Sequence, residues 1–198
     1  MDRKYEEWNY NMRREMQEII PGLFLGPLAS ASKSKLETLL NTGITHIVCV
    51  RHEKEVSIIQ PNFPEKFKYI VINLKDYESS MIPLFSKVKT FVDNGLKNGG
   101  KVLVYGNTGT SVSATLVIAY VMETKHLSYV DAFQMVRKKR QCIGPSETCL
   151  QQLMEYEPIY KAVRAHLNGH TSEISGRPKR QFDEVEDNIS LNTKMDIC

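Results

Sequence analysis

The chain has 198 residues, of which 41% are hydrophobic and 25% charged, and it carries a formal net charge of +3. That is the make-up of one globular domain plus a tail. No apolar run approaches the roughly 18 residues of a membrane span, and the charge balance is too weak to argue for nucleic acid. The four cysteines, Cys49, Cys142, Cys149 and Cys198, lack metal-ligand and disulfide-framework spacing. Free thiols in a reducing compartment are expected, with no metal and no cofactor.

Residues 1–20 mix charge with Tyr5, Trp8, Tyr10 and Met12 and contain no apolar core of a secretion signal. They read as a partly helical lead-in lying over the domain, with Trp8 either packed on that domain or facing a partner. A domain is expected over 21–167. Ile20 to Gly26 reads as a first strand after Pro21-Gly22. Ala31 to Asn41 has the leucine spacing of a short helix, and Gly43 sits where its C-terminal cap belongs. Ile44 to Val50 (ITHIVCV) is β-branched and reads as a buried parallel strand. His46 within it reads as an ordinary strand histidine. After a polar connection from Arg51 to Lys66, Tyr69 to Leu74 is the next strand, followed at once by Asp76.

Ile82, Phe85, Val88, Val92 and Leu96 recur at helical spacing, and Asn98-Gly99-Gly100 ends that helix. Val102 to Tyr105 then forms a short apolar strand, Gly106 to Thr110 a loop of small and polar residues, and Ala114 to Met122 the body of an apolar helix that Ser111 can cap. Strand, tight loop and helix start aim backbone N–H groups and the positive end of a helix at one spot, which makes an anion site.

Tyr129 to Arg140 is a further helix, ending in the basic run Arg137, Lys138, Lys139, Arg140. That run reads either as a docking site for an acidic or phosphorylated partner or as a solvated face complementing the helix dipole. Ser146 to Leu167 is a final helix that Pro158 should kink or split. Residues 168–198 are polar, set four basic residues against six acidic ones from Gly169 onward, and read as a disordered tail. Within it, Arg177 to Arg180 (RPKR) is a short basic cluster of the kind that can serve as a nuclear signal.

Strand, helix, strand, strand, helix, strand, then helices is the order of an α/β fold with a central, mostly parallel sheet flanked by helices. The stretch from Lys101 to Met122 resembles the phosphate-binding loop of cysteine-dependent phosphatases of the dual-specificity class. That class carries His-Cys, five residues, then Arg and Ser or Thr, between a buried strand and a buried helix. Laid on Tyr105, Gly106, Asn107, Thr108, Gly109, Thr110, Ser111, Val112 and Ser113, the resemblance puts His at Tyr105, the nucleophilic Cys at Gly106, the invariant Gly at Gly109, the Arg at Val112 and the hydroxyl at Ser113. Asp76 matches the general-acid position. The segment EEWNYNMRREMQEIIPGLFLGP and the GITHI run extend the likeness to inactive members of the class. Those members carry Gly for Cys but keep the Arg, so Val112 is a departure.

The resemblance implies a cysteine-phosphatase fold over roughly Glu6 to Leu167 without catalysis, since Gly has no nucleophile and Val cannot clamp a phosphoryl group. It further implies a binding module with partners in the nucleus; a monomer found in nucleus and cytoplasm is expected. The implied partners are phosphorylated proteins or MAP kinases and an F-box ubiquitin-ligase subunit. The alternatives are an enzyme with another nucleophile, such as Cys142 or Cys149, and a decayed copy that still folds.

Overall fold

The structure, a computed structural model, describes residues 8–75, 80–97 and 99–173. Asp76 and residues 174–198, with the Arg177–Arg180 cluster, lie outside the described residues. A compact unit ends at Val163, and a second unit begins at Arg164.

Five strands form one sheet in the order β1-β2-β5-β3-β4. They are β1 (Gln17–Ile20), β2 (Leu23–Pro27), β3 (Ile44–His52), β4 (Lys68–Leu74) and β5 (Lys101–Gly106). Only β1 runs antiparallel; β2, β5, β3 and β4 are mutually parallel. The alternation of side chains along each strand explains the two cores. Val48 and Val50 of β3, with Val102 and Val104 of β5, face one core; Ile47, Cys49, Leu103 and Tyr105 face the other. The first core is covered by α2 (Ile82–Lys97), α3 (Val112–Lys125), α4 (Tyr129–Lys139) and α5 (Glu147–Glu173), the second by α1 (Leu36–Thr42) and the connection ahead of β4. Every residue of α3 from Ser113 to Met122 is buried, as expected of a helix that is apolar all round. No helix among the described residues is long and apolar enough to cross a membrane.

Several elements differ from the sequence reading. The expected first strand is a hairpin, because Gln17–Ile20 pairs with β2 instead of extending the lead-in. Its two outer residues are polar, as suits an edge strand. Gly22 turns the hairpin at φ +82°. The expected helix from Ala31 is 3-10 turns until Leu36. There the hydroxyls of Ser30 and Ser32 donate to the carbonyls of Pro27 and Ala29 and compete with helical bonding. Gly43 caps α1 in the left-handed region, as expected. Pro158 neither ends nor splits α5. It is exposed, so the carbonyl one turn back that loses its donor can be hydrated. The helix also runs past Leu167 to Glu173, into residues expected to be disordered.

His46 is a structural residue. It is buried, its Nδ1 lies 2.8 Å from Thr45 Oγ1, and its ring meets Phe91 edge-on at 5.3 Å. Burial, and secondarily the charge of Lys68, hold its pKa below the ordinary 6.5, so the folded state disfavours the imidazolium. The unfolded chain then binds more protons as pH falls, and stability present above about pH 6.5 is lost below it. The thermal midpoint should fall between about pH 7.5 and pH 5.5, and His46→Gln should flatten that fall. Equal slopes for the two proteins would show that His46 does not carry the effect.

Candidate functional site

The parallel strands deliver their C-terminal ends to one side of the sheet, where α/β folds place ligands. Val50, Arg51 and His52 of β3, Leu74 of β4 and the run Gly106 to Ser113 line a cleft there of about 240 Å³ with Glu55. The structure therefore brings together the whole predicted loop except Tyr105.

Tyr105 faces the opposite core and is fully buried. Its hydroxyl donates to Gln60 O at 3.2 Å. Burial, and then the neighbouring Cys49, push its pKa far above the ordinary phenol value. Burial likewise raises Cys49, against the opposing hydrogen bond from Tyr105 and the charge of Arg51. This thiol is no nucleophile in waiting.

The loop's backbone is held by its carbonyls. Asn107 O accepts from Leu28 N–H at 3.2 Å, Thr110 O from Gly144 N–H at 2.8 Å and Ser111 O from Thr115 N–H at 2.8 Å. Thr108 O and Gly109 O both accept from Arg140, at 3.2 and 2.9 Å. A planar trans peptide sets each N–H opposite its carbonyl. The amides of Thr108 to Val112 consequently face the cleft, as an anion cradle requires. Ser111 holds the N-cap position of α3, but its φ of −111° and ψ of −93° are not those of a capping residue, and its side chain makes no cap bond. Its Oγ instead accepts from Ser146 N–H at 3.4 Å. The expected cap is absent, and the first turn of α3 stays open to the cleft.

The two loop glycines are there for different reasons. Gly109 has φ +67°, and a Cβ there would lie 2.3 Å from Gly26 O. Only glycine fits the conformation and the close approach to β2. Gly106 is outside the left-handed region. A Cβ at Gly106 would meet Ser113 Oγ at 3.2 Å and Val50 O at 3.4 Å. Backbone conformation does not demand glycine at Gly106, and a small side chain needs only a slight shift of Ser113. Val112 packs against the first core, and its side chain offers the cleft no hydrogen-bond donor.

Charge in the cleft is nearly balanced. Arg51 donates from Nε to Asn73 Oδ1 at 2.8 Å and from Nη1 to Ile59 O at 2.6 Å, so much of its fork is used structurally. The Glu55 carboxylate accepts from Asn107 Nδ2 at 2.7 Å and His52 N–H at 2.9 Å. It sets a negative charge on the loop's rim.

Arg140 is the site residue that the reading of a surface basic run missed. It is fully buried. Besides the two loop carbonyls it donates to Glu15 O at 2.8 Å, Arg13 O at 3.0 Å and Gln17 Oε1. Burial lowers its pKa, and the charge of Arg13 adds to that. It remains a cation at neutral pH. Helical spacing held the missed signal: Ala132 and Val136 are buried on α4, and Arg140 continues that i+4 stripe. Arg137, Lys138 and Lys139 are the last-turn basic residues of α4.

With the geometry in place, comparison with known proteins gives the class. The dual specificity phosphatase catalytic domain matches residues 23–159, and the chain belongs to that family. More particularly, it is 53% identical over 194 residues to the serine/threonine/tyrosine-interacting protein of Mus musculus, covering 92% of this chain and 86% of the relative. The crystal structure of the human tyrosine phosphatase-like serine/threonine/tyrosine-interacting protein superposes with a TM-score of 0.72 at 52% identity, covering 74% of this chain and 98% of that one. A Dictyostelium discoideum relative, named MAP kinase phosphatase with leucine-rich repeats protein 3, is 38% identical over 160 residues, which is 78% of this chain and 18% of that protein.

Arg140→Met strands buried carbonyls on the loop and on the segment before β1. It should cost about 3 kcal/mol or more of stability in urea unfolding. Arg140→Lys should recover only part of that, since an ammonium cannot span the five acceptors. A loss below about 1 kcal/mol for the Met variant would show that Arg140 does not hold the loop.

Proposed function

We propose that the chain is a catalytically inactive phosphatase-like domain that binds phosphorylated proteins or their kinases. The observation that carries this reading is the loop itself. Its frame keeps the inward amides, yet Gly106 supplies no nucleophile and Val112 no clamp, at the positions where the family resemblance sets Cys and Arg. Cys49 and Cys149 are buried, and Cys142, which is half-buried, is not among the residues that line the cleft, so none of the three is placed as a replacement nucleophile. The family resemblance and the word "interacting" in the relative's name support a binding role. The Dictyostelium relative's name favours MAP kinase signalling as its setting. An F-box ubiquitin-ligase subunit as partner, action as a monomer, and residence in nucleus and cytoplasm belong to the same proposal.

Hydrolysis of para-nitrophenyl phosphate by a graded set of variants tests it. The wild type should not exceed a buffer blank. Gly106→Cys alone should add a thiol without useful turnover, and Val112→Arg alone should restore anion binding without turnover. The two changes act on the same phosphoryl group, so the double variant should be the first with measurable activity. Turnover by the clean wild type would refute inactivity. A Gly106→Cys variant as active as the double one would show that Val112 is not at the Arg position.

Inorganic phosphate should bind the wild-type loop weakly. Without the charge-assisted pair of an Arg, affinity should fall by about tenfold to a hundredfold against Val112→Arg. Calorimetric titration of both proteins reads this directly, and micromolar binding by the wild type would contradict it.

A further inference from the structure

Beside the cleft runs a second groove of about 270 Å³, lined by Tyr10, Arg13, Arg14, Pro27, Ala29 and Thr108. Thr108 lines both hollows, so they share a wall. The groove's far side is the 3-10 turn Tyr10–Arg14. Its backbone is fixed from within. Asn9 Oδ1 accepts from the N–H groups of Asn11 and Met12, and Gln17 Nε2 donates to Met12 O at 2.8 Å. Arg140 holds the carbonyls of Arg13 and Glu15, so one buried guanidinium anchors both the turn and the loop.

The side chains of this turn face water. Tyr10 is 77% exposed, the most exposed of the large hydrophobic residues described, and Arg13 and Arg14 are exposed. Among the described residues neither arginine forms an ion pair with a carboxylate. The charge of Arg13 acts on the buried Arg140 guanidinium, which among the described residues forms no ion pair. Like charges so placed repel, and that cost is relieved when an anion binds between them. Planar forks beside an exposed aromatic ring are the chemistry that grips phosphate monoesters and anchors interfaces.

The electrostatic contrast decides where an anion goes. The loop cleft sets the Glu55 carboxylate against an Arg51 already bonded to Asn73 and Ile59. The groove has two guanidiniums that, among the described residues, no carboxylate holds. We propose that the groove is the phosphate-recognising subsite of this protein. In it, a phosphorylated side chain of a partner protein is held by Arg13 and Arg14, and the peptide that bears it lies over Tyr10 and Thr108. This rests on the binding role proposed above, and it moves the point of recognition from the loop to its flank.

The test is a titration of the full chain, labelled with nitrogen-15, followed by amide chemical shifts. Phosphotyrosine, tyrosine and inorganic phosphate are the probes. Phosphotyrosine should shift Tyr10, Arg13, Arg14, Ala29 and Thr108. Inorganic phosphate should shift the same residues more weakly, and tyrosine should leave them in place. Arg13→Gln with Arg14→Gln should weaken phosphotyrosine binding by about tenfold or more. Lys138→Gln with Lys139→Gln, an equal change of charge elsewhere, should leave it unchanged. All four side chains are exposed, so unaltered thermal midpoints are expected. Shifts confined to Gly109–Ser113, or equal affinity after loss of both arginines, would overturn the subsite and leave phosphate recognition by the domain standing. No shifts at any probe up to millimolar concentration would overturn the subsite and phosphate recognition together.

Discussion

One buried guanidinium organises the functional end of this molecule. Arg140 lies below the loop after β5 with five acceptors around it and no carboxylate among them. A buried charge is tolerated only when hydrogen bonds replace its hydration. Here that requirement works as a geometric constraint. Thr108 and Gly109 must turn their carbonyls inward, and the residues before β1 must run past the same point. The amides of Gly109 and Thr110 then face the cleft by peptide planarity alone.

Because the loop is held by its carbonyls, its shape does not depend on the side chains that would act on a ligand. Gly109 is required by its backbone conformation and its contact with Gly26. Gly106 is not, and Val112 belongs to the core as much as to the cleft. Reactive groups can be absent from such a site while its frame survives. What changes is the charge: the cleft sets a carboxylate against a largely committed guanidinium. Cationic character lies instead on the flank, on the turn that Arg140 also anchors.

Much of this was legible in the sequence because the signals are local. The β-branched run of β3, the apolar body of α3 and the left-handed glycine after α1 each declare themselves within a few residues. The strand–loop–helix frame from Lys101 to Met122 was legible for the same reason. What escaped depends on distant partners. Gln17–Ile20 reads as part of a charged lead-in until β2 pairs with it. Arg140 looks like one of four basic neighbours, and its contacts to Arg13, Glu15 and Gln17 lie more than a hundred positions back along the chain. The i+4 stripe through Ala132 and Val136 carried the clue, but a charged residue at its end reads as solvated unless buried acceptors are in view. Ser111 escaped differently: its residue type suits a cap, and its backbone dihedrals do not.

In the proposed reading, the loop keeps an oxyanion cradle set by Arg140 and lacks only the reactive side chains. A crystal structure of the Gly106→Cys, Val112→Arg double variant with tungstate tests it most directly. The oxyanion should lie within about 3 Å of the amides of Thr108 to Val112, with Arg140 still bonded to the carbonyls of Thr108 and Gly109. A rearranged loop, or an ion bound away from those amides in a folded protein, would contradict it.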